Sequence, residues 1–77
     1  MPISPAQCRA ARALLGWTRE QLAVRAGKGY RCVANFESES REVRSETLNA
    51  IKISLEAAGV VFVDENGDVG VRMRKGR

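Results

Sequence analysis

The sequence predicts a mainly α fold of four helices followed by a C-terminal β-hairpin. Three observations carry that prediction. Apolar residues recur at steps of three and four through residue 59; cap and stop residues cut that stretch into helix-sized pieces; and from Val60 the period changes to the alternation of a strand. The chain divides accordingly into a helical part, residues 1–59, and a hairpin with a basic tail, residues 60–77.

The first helix opens at Ser4, whose hydroxyl can accept from free backbone N–H groups, and Pro5 follows where a missing N–H costs nothing. Cys8, Ala11, Leu14 and Leu15 recur at helical spacing, and Gly16 supplies a C-terminal stop. Thr18-Arg19-Glu20-Gln21 has the spacing of a capping box and starts a second helix with Leu22, Ala23 and Ala26 inward. Gly27 suits the left-handed conformation of a sharp turn, and after Gly27-Lys28-Gly29 a third helix runs from Tyr30 to about Ser38. Its anchors are Val33 and Phe36, which leaves Tyr30, Arg31, Ala34 and Asn35 on other faces. Ser45 is the expected cap of a fourth helix, whose Leu48, Ile51, Leu55 and Ala58 form the clearest apolar stripe before Gly59. Val60-Val61-Phe62-Val63, the turn dipeptide Asn66-Gly67, and alternating Val69, Val71 and Met73 read as a hairpin over 60–73. An isolated hairpin is marginal in water, so it needs a surface or a second sheet; pairing with another hairpin across a two-fold axis is one solution. The tail from Arg74 to Arg77 is expected to be mobile.

Composition narrows the function classes. A chain of 77 residues builds a small core that a partner copy would help stabilise. There is no histidine, and two cysteines cannot complete a four-ligand zinc site. Cys8 and Cys32 are expected to be buried, reduced and without redox chemistry. No metal constellation or spaced nucleophile–base pair is present, so no cofactor and no enzymatic activity are expected. The absence of a long apolar run and of a signal-like N-terminus leads us to expect a cytoplasmic protein without a membrane partner. The net charge of +4 is unevenly spread: residues 1–36 carry six basic side chains against Glu20 alone, residues 37–68 are net acidic, and the tail is basic again. A basic N-terminal half suits a polyanion. Trp17 is expected in packing, and Arg9 and Arg25 in solvent.

Two short helices joined by a glycine-containing turn form a unit that can present its second helix to a DNA major groove. The stretch from Arg9 to Ala23, Arg9-Ala10-Ala11-Arg12-Ala13-Leu14-Leu15-Gly16-Trp17-Thr18-Arg19-Glu20-Gln21-Leu22-Ala23, together with Ala34-Asn35-Phe36-Glu37, resembles the Cro-like, xenobiotic-response-element (XRE) family of lambda repressor-like helix-turn-helix regulators. The resemblance spans roughly residues 7–58, and the hairpin is similar to the ending of some short bacterial members.

The resemblance implies a role for each matching residue. Arg12 and Glu37 match a structural salt bridge between the first helix and the end of the third. Thr18, Arg19 and Gln21, at the start of the second helix, match phosphate contacts, and Lys28, Arg41 and Arg44 are further candidates for the backbone. Tyr30, Arg31 and Asn35 match positions that reach base edges: arginine pairs with guanine, asparagine with adenine, and tyrosine can stack, meet a thymine methyl or bond a phosphate. Two departures stand out. Lys28-Gly29 replaces the usual small hydrophobe and hydroxyl cap, and the loop Ser38 to Arg44 carries Glu39 and Glu42 where the family is commonly glycine-containing and basic. The implied function is a bacterial or phage-type transcriptional regulator, binding double-stranded DNA at a pseudo-palindromic operator as a homodimer. An alternative is a protein-interaction module, an antitoxin or anti-activator, using the acidic stretch Glu37 to Glu46 and the hairpin edge.

Overall fold

A computed structural model describes residues 2–74, and the expectation of a mobile tail therefore falls, beyond Arg74, outside the described residues. The elements are α1 (Pro5–Leu15), α2 (Arg19–Ala26), α3 (Tyr30–Ser38), α4 (Ser45–Ala57), β1 (Val60–Glu65) and β2 (Asp68–Met73).

Local chemistry sets the helix ends. Ser4 accepts from the Gln7 N–H while the Gln7 side chain accepts from the Ser4 N–H, and Thr18 and Gln21 repeat this reciprocal box at α2. Gly16 and Gly27 close α1 and α2 in the left-handed conformation, at φ 70° and 68°, where any Cβ would be strained. Gly29 caps α3 through its backbone geometry alone. The fourth helix departs from expectation: Arg44 occupies the cap position without a side-chain hydrogen bond, and Ser45 is already the first helical residue. Ala58 rather than Gly59 ends it, and Gly59 turns the chain into β1 at φ 106°.

The core is one cluster. Leu22, Val33, Ile51 and Leu55 have no exposed surface, and Cys8, Ala11, Ala23, Phe36 and Val60 complete it together with Ile3 ahead of α1. Each fully buried aliphatic side chain contributes about 1.5–3 kcal/mol. Leu48 and Trp17 pack at its margin, but Leu14, which shares the spacing of the α1 core residues, is 47% exposed. The core-facing stripe of α1 runs through Cys8 and Ala11 to the partly buried Leu15, with Gln7 buried beside it, and Leu14 lies at its edge. Cys8 is buried as expected, whereas Cys32 is only half-buried, because α3 turns Val33 and Phe36 inward and leaves Cys32 beside them.

The hairpin is antiparallel, with Val60 opposite Met73 and Glu65 opposite Asp68 across the Asn66-Gly67 turn. Asn66 at φ 52° and Gly67 at φ 82° give both central residues the positive φ of a type I′ turn. Within one chain the hairpin finds its surface on the helices. Val60 is buried, Phe62 and Val71 pack against the core, and the buried Gln7 amide donates to the carbonyls of Gly70 (3.0 Å) and Val63 (3.4 Å). One side chain thus caps α1 and anchors both strands. Replacing it, Gln7→Ala, is expected to cost about 1–2 kcal/mol. Hydrogen exchange should show the loss concentrated in hairpin amides, with α2 and α4 less affected; uniform acceleration would mean that Gln7 supports the whole core equally.

Candidate functional site

The site is built around α3 and the carboxylate that fastens its end. Glu37 follows the core anchors Val33 and Phe36, and its side chain is completely buried. Arg12 of α1 grips it with two hydrogen bonds, Nε to Oε2 at 2.6 Å and Nη2 to Oε1 at 2.7 Å. The Arg12 Nη1 donates onward to the Trp17 carbonyl, so the same guanidinium fixes the α1–α2 corner. Arg19 of α2 adds an Nε bond to Oε1 at 3.0 Å, and the Cys8 thiol donates to Oε2 at 3.1 Å. Arg9 donates to the Glu37 main-chain carbonyl. Three helices therefore converge on one carboxylate.

Burial alone would push the Glu37 pKa up, but the hydrogen bonds from Arg12, Cys8 and Arg19 outweigh it and hold the carboxyl below its usual range. Burial in turn pushes the Cys8 thiol well above its ordinary value, reinforced by its bond to Glu37 and the neighbouring negative charge. Cys8 is thus a neutral donor in this network. Arg12 and Arg19 are both raised, in each case first by the hydrogen bond to Glu37, and for Arg19 next by the Tyr30 side chain.

With its end fastened, α3 turns a polar face outward. Arg31 is exposed and Tyr30 is 48% exposed at its start, beside the α2–α3 turn. Asn35 lies four residues after Arg31 on the same stripe, half-buried, with its Oδ1 accepting from the Ser40 hydroxyl at 3.3 Å. The capped start of α2 lies alongside: Arg12, Trp17, Thr18, Arg19, Glu20 and Tyr30 line one open cleft. Thr18 and Gln21 are exposed, each holding the other's backbone in the capping box.

The other basic candidates lie further out. Lys28 is turned toward α4, with Nζ 3.8 Å from Glu46 Oε2. Arg41 and Arg44 are exposed in the loop between α3 and α4 and at the α4 cap. Glu39 and Glu42 are exposed with them, and Glu39 closes α3 at φ 58°, a conformation that glycine adopts at lower cost.

Several contacts were not visible in the chain. Arg19 is tied to Glu37 as well as facing the cleft; Cys8 and Arg9 belong to the same network; and the Arg25 guanidinium stacks over Trp17 at 4.5 Å from the ring centroid. Arg9 and Arg25 are exposed as expected and make these contacts from the surface. The Ser4-x-x-Gln7 spacing was a readable signal for the Gln7 cap, but nothing local announces its second role on the hairpin. Among the described residues no cluster of three metal-ligating side chains occurs, and no helix is long and apolar enough to cross a membrane. Neither a protein-family model nor a curated protein matches the chain.

Proposed function

We propose that this chain is a sequence-specific DNA-binding transcriptional regulator of the helix-turn-helix type, in which α3 enters the major groove and a homodimer reads a pseudo-palindromic operator. The observation that carries this reading is the construction of α3. A nine-residue helix is held from behind by Val33, Phe36 and the buried Glu37, and presents Tyr30, Arg31 and the margin of Asn35 outward. Such a helix keeps its outer face in register when a duplex arrives, so little ordering cost is left to the binding step. The start of α2 lies beside it, with backbone N–H groups, Thr18, Gln21 and Arg19 at the positive end of the helix, which suits a phosphate flanking the groove. The basic bias of residues 1–36 adds long-range attraction.

In this reading Tyr30, Arg31 and Asn35 meet base edges, and Thr18, Arg19 and Gln21 meet phosphate. Lys28, Arg41 and Arg44 contribute charge at the periphery, offset by Glu46, Glu39 and Glu42. Arg12 is structural. The protein acts in the cytoplasm of a bacterial cell by occupying its operator, as a repressor or an activator, without a cofactor and without catalysis, and the resemblance to XRE-family regulators supports that assignment.

Selection of bound duplexes from a random DNA library at near-physiological salt tests it. The expected result is a two-fold-symmetric motif with half-sites about one helical turn apart. Retention without enrichment would reduce the protein to a non-specific binder, and no retention would sink the reading. The exposed carboxylates Glu39, Glu42 and Glu46 around the α3–α4 loop, interspersed with Arg41 and Arg44, favour one second reading, an interaction module whose partner carries a charged surface. That alternative predicts a stoichiometric protein partner that survives nuclease treatment.

A further inference from the structure

We infer that a second copy of this chain joins the free edge of β2, antiparallel and centred on Val71, so that two hairpins form one four-stranded sheet in the order β1-β2-β2-β1. This specifies the contact of the homodimer proposed above and rests on that reading for the need of a two-fold arrangement.

The argument begins with the hairpin's hydrogen-bond parity. The Arg74 N–H donates to the Gly59 carbonyl at 2.7 Å, one step beyond the Val60–Met73 pair. Antiparallel pairs alternate between hydrogen-bonded and non-hydrogen-bonded, so the bonded pairs are Val61–Arg72, Val63–Gly70 and Glu65–Asp68. Val69, Val71 and Met73 therefore point their main-chain N–H and C=O groups away from β1. Among the described residues no backbone or side-chain group bonds to them. The same three positions carry apolar side chains, of which Val69 is 56% and Met73 40% exposed. An apolar strand with an unpaired main-chain row is a template for another strand. The flank is open as well: the groove between α1 and β2 presents the small exposed residues Ala6 and Ala10 beside Val69 and Gly70.

The occupant follows from the pattern of residues. Antiparallel self-pairing centred on Val71 sets Val71 against its own copy and each Val69 against a Met73, so the two most exposed apolar side chains of the strand cover each other. It also sets each Asp68 opposite an Arg74, at a non-hydrogen-bonded position where cross-strand side chains approach closest. The alternative edge lacks this complementarity. Self-pairing of β1 about Phe62 would place the exposed Asp64 opposite the buried Val60. The dimer leaves the α3 face of each copy out of the joint, because the joint is made by β2.

Sedimentation equilibrium of the whole chain and of three variants tests the contact, with circular dichroism confirming that each is folded; Asp68, Val69 and Arg74 are all exposed, so the fold should survive. Wild type should be a dimer. Val69→Lys and Asp68→Arg should each raise the dissociation constant by about tenfold or more, and combining Asp68→Arg with Arg74→Asp should recover most of the loss. A monomeric wild type, a dimer indifferent to both single substitutions, or a folded double variant that stays weak would each overturn the proposal. A dimer that these variants weaken but that selects no DNA would refute the DNA-binding reading and keep the contact. A chain that selects a two-fold motif and whose dimer ignores the variants would do the reverse.

Discussion

Glu37→Ala is expected to cost about 3–5 kcal/mol of folding stability, the range for removing one partner of a buried ion pair. The cost arises because the carboxylate has no exposed surface and serves Arg12, Arg19 and Cys8 together, so its loss leaves the Arg12 guanidinium, itself only 18% exposed, facing an apolar gap. For a domain of this size each kcal/mol moves the melting temperature by roughly 4–8 °C, so the variant should be largely unfolded at temperatures where wild type is intact. Glu37→Gln keeps the shape and one acceptor and should fall between the two. Arg19→Ala should cost far less, since its side chain is one-third exposed and Arg12 already grips both carboxylate oxygens. Chemical denaturation followed by circular dichroism measures all three, with Arg12→Ala as the fourth. Equal effects of Arg12→Ala and Arg19→Ala would show that the network is not centred on the Arg12 fork.

The same network sets an acid limit. Because the folded-state pKa of Glu37 is depressed, its contribution is fully present above the pKa it has when unfolded, and is lost as pH falls through the lower folded value. Stability should therefore decline as pH drops below the ordinary carboxylate range, about 4, and Glu37→Gln should flatten that part of the profile. An unchanged slope in the variant would assign the acid sensitivity to other carboxylates.

Arg31→Ala is expected to weaken binding to the selected operator by about 1–3 kcal/mol, roughly fivefold to 150-fold, and to relax the preference at one base position per half-site. Arg31 projects from the first turn of α3, exposed and on a helix whose opposite face is locked into the core. Arg19→Ala gives the contrast. It should weaken binding to all duplexes alike and reduce the slope of log K against log salt by about 0.9. Binding measured on operator and scrambled duplexes over a salt series separates the two. If Arg31→Ala leaves the preferred sequence intact, α3 is not the reading helix.

Much of the secondary structure was legible because its causes are local. The Ser4 cap, the box begun by Thr18, the glycine stops at 16 and 27, and the Asn66-Gly67 turn each act within four residues, and the structure places them as the spacing predicts. The errors fall where a local cue has a competitor. Ser45 was expected to cap α4, but α4 begins one residue earlier and leaves Arg44 at the cap. Leu14 has helical spacing with the α1 core residues, yet periodicity gives a face without giving its width, and the packing of α1 takes Leu15 against the core and leaves Leu14 at the edge.

What the sequence determined by itself is thus the set of elements, the ends of α1 to α3, and which face of α3 is left for other work, since each depends on hydrogen bonds and apolar spacing inside one segment. Only the tertiary structure decided which partners meet across the chain. It brought Arg19 and Cys8 to a carboxylate that the family resemblance pairs with Arg12 alone, turned Lys28 toward Glu46, and laid the hairpin on α1 through Gln7. Those contacts join residues up to 63 positions apart. Their geometry is set by how the helices pack around Leu22, Val33, Ile51 and Leu55, and no segment on its own contains that information.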